Sequence, residues 1–180
     1  GALRAAPARA RVAFVEATSG GLAGGALLGE PGASRFFQSS CVVYSGRGYK
    51  TFLPADVLAS SGVWEQERNY ASREPYVESK LRFVRVVAPA MRERSRADWF
   101  VVESGTSGPE FYIPGVQAGF TAIGVAGPSG LLRTELVETD SRDRRTNMRV
   151  FATRALELLA SCVAEHNAAA QRTGDLSSKL

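Results

Sequence analysis

The stretch Arg11-Val-Ala-Phe-Val-Glu-Ala-Thr-Ser-Gly-Gly21 decides the fold of this chain. Residues 11–16 are short, apolar and rich in β-formers, which predicts a buried strand. A small-residue turn follows, then Leu22-Ala-Gly-Gly-Ala-Leu-Leu28. That run predicts a helix over 20–28, with Thr18 or Ser19 as its cap. Strand, glycine-rich turn and helix make the unit on which α/β proteins place anionic ligands and nucleophiles. The backbone N–H groups of Gly20 and Gly21 are therefore candidate donors to a phosphate or a developing oxyanion.

Working outward, Glu30-Pro31-Gly32 stops that helix. Residues 34–38 form a short turn or helix and 40–44 a second strand, with Gly46 and Gly48 marking a turn. A short helix over 54–60 starts at Pro54, and 61–72 is polar and irregular. The longest helix spans 72–95. Its apolar stripe is Val77, Leu81, Val84, Ala88 and Met91, and Pro89 is expected to kink it. A third strand, 98–104, feeds Gly105-Thr-Ser-Gly-Pro109, a second small-residue loop. Strands over 118–126 and 131–138 pair as an antiparallel hairpin across Gly127-Pro-Ser-Gly130. The final helix is expected over 141–168, with Met148, Phe151, Ala152, Ala155, Leu158 and Leu159 inward. Strands separated by helices and followed by one hairpin imply a mixed sheet of about five strands, covered on both faces. Parallel pairing of the first and third strands would bring 16–21 and 104–109 together at the carboxyl edge, where open α/β sheets bind ligands.

Composition narrows the chemistry. At 180 residues, 44% hydrophobic and 22% charged, the chain suits one globular domain. We expect it over 11–168, between a loose segment 1–10 and a flexible tail 169–180. No apolar run is long enough to cross a bilayer, and the basic start lacks the apolar core of a secretory signal. The net charge of +4 is nearly all arginine, since the lysines are only Lys50, Lys80 and Lys179. Arginines alternate with acids, as in Arg142-Asp143-Arg144-Arg145, so a solvated face is expected rather than a nucleic-acid surface. Cys41 and Cys162 share no metal spacing and read as free thiols. The single histidine, His166, argues against Ser-His-Asp chemistry and a His-based zinc site. No metal and no cofactor are expected.

Acyl transfer without histidine needs a hydroxyl activated by a lysine. The candidate hydroxyls are Thr18, Ser19, Ser34, Tyr44 and Ser107. Lys50, after the second strand, is the candidate base. Tyr76-x-x-x-Lys80 has the spacing of the short-chain dehydrogenase pair, but the nucleotide fingerprint that chemistry needs is missing. The chain ends in Ser178-Lys179-Leu180, a peroxisomal import address when it is a free carboxyl end. The expected location is peroxisomal or glycosome-like, otherwise cytoplasmic.

Taken in order, Glu-x-x-x-Gly-Gly, Pro-Gly-x-Ser, Val-Val-Tyr-Ser, Ser-Gly-x-x-Gly-Pro and Gly-Phe-Thr resemble the CinA carboxy-terminal domain family. That family includes nicotinamide mononucleotide amidohydrolases. Residues 68–80 are similar to the longer form of eukaryotic members. The resemblance implies a three-layer α/β/α sandwich with a mixed, mostly parallel sheet, similar to anticodon-binding domains. It also implies a pocket for a pyridine nucleotide and deamidation by a serine–lysine pair. Glu16, Gly20, Gly21, Ser34, Tyr44, Ser104, Gly105 and Gly108 would line the pocket, with Arg145 or Arg149 on the phosphate. The family's nucleophilic serine falls on Ala17, and its lysine meets Tyr49, with Lys50 one residue late.

Three readings follow. In the first, the pocket holds nicotinamide mononucleotide or a related phosphorylated nucleotide, with standard amidase activity weak or lost. In the second, Ser19 or Thr18 attacks with Lys50 as base. The third is a non-catalytic oligomeric interaction module. A homo-oligomer is expected under each.

Overall fold

A computed structural model describes residues 10–110 and 113–177. The terminal Ser178-Lys179-Leu180 and nearly all of the segment 1–10 lie outside the described residues.

The elements follow in the order β1 (Val12–Glu16), α1 (Leu22–Leu28), a 3₁₀ turn (Ala33–Arg35), β2 (Phe37–Val42), α2 (Gly46–Phe52), α3 (Ala55–Ser61), α4 (Gln66–Asn69) and α5 (Arg73–Ser95). Then come β3 (Trp99–Thr106), β4 (Phe120–Ala126), a 3₁₀ turn (Pro128–Gly130), β5 (Leu132–Glu138) and α6 (Arg144–Ser177). The sheet order is β2-β1-β3-β4-β5. β1 pairs parallel with β2 and β3, while β4 runs antiparallel to β3 and β5. β4 alone therefore opposes the other strands, and the expected mixed, mostly parallel sheet with its closing hairpin is present.

Period-two alternation divides the core into two layers. Val12, Phe14, Trp99, Val101, Ile123 and Val125 face α1 and α6, against Ala155, Leu159, Cys162 and Val163. Ala13, Val15, Phe100, Val102 and Ala122 face α3 and α5, against Leu58, Phe83, Val84 and Val87. β1 and β4 are buried along their whole length, which is why they read as continuous apolar runs. Each fully buried valine, leucine or phenylalanine side chain contributes about 1.5–3 kcal/mol.

Several boundaries differ from the sequence expectation. The turn expected at Gly46 and Gly48 is the helix α2. Its cap is the Ser45 hydroxyl, which accepts from the Gly48 N–H at 3.2 Å, and this local bond outweighs two glycines. α1 begins at Leu22, because Gly20 and Gly21 take left-handed φ values of 66° and 93°. Neither Thr18 nor Ser19 caps it. β2 begins at Phe37 rather than at 40, where it already pairs with Val12. α6 begins at Arg144, after the Asp143 carboxylate accepts from the Thr146 N–H at 2.6 Å. It runs to Ser177, into the stretch expected to be a flexible tail. Ala168-Ala-Ala-Gln-Arg172 are strong helix formers and carry it on. β3 continues to Thr106, so Gly105 stands inside the sheet rather than in a loop.

Candidate functional site

β1 and β3 are parallel neighbours, and their carboxyl ends deliver two buried carboxylates to the turn after β1. Glu16 folds back beneath α1. Its Oε2 accepts from the N–H groups of Gly21 (3.0 Å) and Ala23 (3.1 Å), and its Oε1 from Gly24 (2.9 Å). The hydroxyls of Ser19 and Ser40 donate to it at 2.7 Å each. Of the two helix-start donors offered by the sequence to a ligand phosphate, Gly20 and Gly21, the Gly21 N–H is thus spent on the chain's own acid.

Glu103, from β3, holds the turn itself. Its carboxylate accepts from three successive backbone N–H groups: Ala17 at 2.6 Å, Thr18 at 3.0 Å and Ser19 at 2.8 Å. The hydroxyls of Ser19 (2.7 Å), Thr121 (3.2 Å) and Thr18 donate to it as well. Successive N–H groups converging on one anion form a nest. Here the anion comes from within the protein. The Ser19 hydroxyl touches both carboxylates, although its one hydrogen serves one of them at a time.

Above this turn lies a cleft of about 300 Å³. Ala17, Thr18 and Ser104 to Gly108 form its floor, and Tyr44, Tyr49, Trp64 and Tyr70 stand around it. Two cations reach it, together with the exposed Glu110. Arg144, at the start of α6, donates to the Gly108 carbonyl at 2.9 Å and to the Tyr44 hydroxyl at 3.3 Å, and lies 5.6 Å from the Tyr44 ring centre. Lys80, on α5, is only 8% exposed. Its amine donates to the Tyr70 hydroxyl at 3.3 Å and stands 5.3 and 5.0 Å from the rings of Tyr70 and Tyr76.

Burial pushes the Tyr49 phenol above its usual 10.0; the Glu103 charge adds to this, and a hydrogen bond with Ser104 opposes it. Burial raises Tyr76 further, with smaller contributions from Tyr70 and Tyr49. The folded chain therefore keeps these phenolic protons where the unfolded chain loses them. Stability is full below about pH 10 and falls as pH rises above it. Tyr76→Phe is expected to flatten that alkaline decline in urea melts run across pH 9–11; an unchanged slope would count against it.

The sequence-nominated residues separate clearly. Ala17, Thr18, Tyr44, Ser104, Gly105, Ser107 and Gly108 line the cleft. Glu16 and Ser19 lie buried beneath it, and Gly20 sits against Met148. Ser34 is exposed, with its carbonyl accepting from Arg11 at 3.1 Å. Arg145 and Arg149 are exposed and outside the cleft, which their neighbour Arg144 lines.

Lys50 is not brought to Thr18 or Ser19. It is exposed, its amine 5.2 Å from the Trp64 ring centre, whereas Tyr49 lines the cleft. Adjacent helical residues point about 100° apart, so α2 can turn only one of them inward. The Thr18 hydroxyl is held by Glu103 and by Thr121 at 2.9 Å, and the Ser107 hydroxyl donates to the Thr18 carbonyl at 2.8 Å. No hydroxyl–lysine pair is assembled from these candidates.

Sequence reasoning missed Glu103, Lys80 and Arg144 as site residues. A lone acid near the end of an apolar strand was a usable signal for Glu103. Arg144 was hidden in a charge run that reads as a solvated face.

Comparison with known proteins adds ancestry. A profile described as the CinA C-terminal domain matches residues 2–163. A CinA-like protein of Desulfosudis oleivorans is 32% identical over 152 residues, covering 84% of this chain and 33% of its own length. A CinA-like protein of Anaeromyxobacter sp. is 34% identical over 152 residues, covering 83% and 33%. The chain thus spans about one third of the curated relatives it matches. Among solved structures, a CinA superfamily protein of Klebsiella pneumoniae superposes with a TM-score of 0.69 at 22% identity, covering 91% of this chain and 92% of that one. A competence/damage-inducible protein of Agrobacterium tumefaciens gives 0.65 at 22%, covering 85% of each.

Proposed function

The chain belongs to the CinA C-terminal domain family, and from that premise we propose that its cleft binds a phosphorylated pyridine mononucleotide while turning over the amide weakly or not at all. The observation that carries this reading is the Arg144–Tyr44 edge of an aromatic-walled cleft whose floor is Ala17. Tyr44 and Trp64 supply aromatic surface along the cleft that suits a base, and the forked guanidinium of Arg144 suits a phosphate. A volume of about 300 Å³ lies at the low end of small-molecule sites. It suits a mononucleotide better than a dinucleotide.

Chemistry is the weaker part of the inheritance. A methyl group at Ala17 cannot attack a carboxamide. Loss of a nucleophile costs roughly 10⁶ in rate where one has been removed. The N–H groups of residues 17–19, the natural donors to an oxyanion beside position 17, are spent on Glu103. The Ser19 hydroxyl lies beneath the floor, and Lys50 points elsewhere, which disfavours a substitute serine–lysine pair.

Titration calorimetry with nicotinamide mononucleotide, run beside an ammonia-release assay, tests the reading. Binding without turnover is expected. Arg144→Ala should weaken that binding roughly ten- to a hundredfold, the usual worth of a charge-assisted hydrogen bond. Rapid ammonia release by the unmodified chain would refute the loss of activity, and absence of binding would refute the ligand class.

A further inference from the structure

The cleft contains a cation whose presence the phosphate anchor does not explain. Lys80 is nearly buried, and among the described residues its amine has one hydrogen bond, to the Tyr70 hydroxyl, and no carboxylate at ion-pairing distance. Glu110 lines the same cleft but is exposed and does not pair with it. Removing an ammonium from water without a counter-ion is costly. The rings of Tyr70 and Tyr76 offset part of that cost, because their faces attract a cation. They leave two of its three N–H donors without a partner among the described residues. Such an arrangement is favourable when an anion arrives from solution.

Arg144 and Lys80 reach the cleft from opposite layers of the molecule. Arg144 stands on α6, which packs on one face of the sheet, and Lys80 on α5, which packs on the other. Each is anchored to its own aromatic partner, Tyr44 for Arg144 and Tyr70 for Lys80. Two separately held cations fit a ligand with two separate anionic groups better than they fit a single phosphate.

Resting on the pyridine-nucleotide reading above, we infer that Lys80 forms a carboxylate-binding subsite, so that the cleft prefers a pyridine mononucleotide bearing a ring carboxylate to one bearing a carboxamide. The two ligands have nearly the same shape. They differ in that the carboxylate accepts a charge-assisted bond from the ammonium, whereas a neutral amide carbonyl gains less.

Calorimetry on the whole chain decides it, with nicotinic acid mononucleotide and nicotinamide mononucleotide as probes. The acid is expected to bind at least about tenfold tighter than the amide. Lys80→Met should bring that ratio close to one, and Lys80→Arg should retain most of it. If Lys80→Met fails to fold by its thermal melt, Lys80→Gln takes its place. Equal affinities in the unmodified chain, or a preference that survives loss of the charge, would overturn the subsite and leave the nucleotide reading standing. Failure of both nucleotides to bind would overturn the two together.

Discussion

Glu103→Ala is expected to lower unfolding stability by about 4–5 kcal/mol, the upper range for breaking a buried charged network. The carboxylate satisfies three backbone N–H groups and three hydroxyls, all buried. Alanine would leave the three N–H groups facing a cavity, while the Ser19 and Thr18 hydroxyls keep Glu16 and Thr121 as partners; an unpaired buried donor costs about 1–3 kcal/mol. The individual penalties would add to more than the total only if nothing relaxed; the turn 17–19 is expected to give way first and take the cleft floor with it. Since small domains have roughly 5–15 kcal/mol in all, the variant should sit near the threshold of folding. Glu103→Gln keeps the shape and part of the acceptor capacity, so its loss should be clearly smaller. Urea melts of the three proteins measure this directly. A Glu103→Ala midpoint close to that of the parent would mean the turn holds itself.

Gly105→Ala is the second large effect. A Cβ at this position would lie 2.1 Å from the Phe120 carbonyl oxygen and 2.7 Å from the Thr121 Cα, both backbone atoms of β4. Neither can swing aside as a flexible side chain would, so β3 and β4 must separate at the edge that forms the cleft. The expected cost is roughly 3 kcal/mol or more, above the usual range for overpacking because backbone has to move. Gly25→Ala provides the contrast. It lies within α1 with nothing within 4 Å of its would-be Cβ, and should stabilise by about 0.5–1 kcal/mol through helix propensity. Thermal melts that rank Gly105→Ala level with Gly25→Ala would contradict the packing argument. The same geometry reassigns Gly105, whose absent side chain lets two strands meet beside the cleft.

The carboxyl-edge location was legible because it depends on local order. An apolar strand entering a glycine turn appears twice, after β1 and at the end of β3, and parallel pairing does the rest. The identity of the cleft's charged groups was not legible in the same way. Arg144 and Arg145 are adjacent in a charge run, and only the phase of α6 turns Arg144 to the cleft. Tyr49 and Lys50 are adjacent as well, and the Ser45 cap converts an expected turn into the helix that separates them. Lys80 carried a spacing that suggested a different enzyme class, while its position beside Tyr70 depends on how α4 and α5 pack.

The sequence by itself determined the layered α/β/α plan and the strand that bears the turn. These follow from apolar periodicity and glycine placement, both carried by neighbours in the chain. Tertiary structure alone decided that Glu103 fills the nest at residues 17–19, 84 and more positions away, and that Arg144 and Lys80 rather than Arg145 and Lys50 supply the cations. Those contacts join residues distant in sequence, and pairing of β1 with β3 and docking of α5 and α6 on opposite faces must come first.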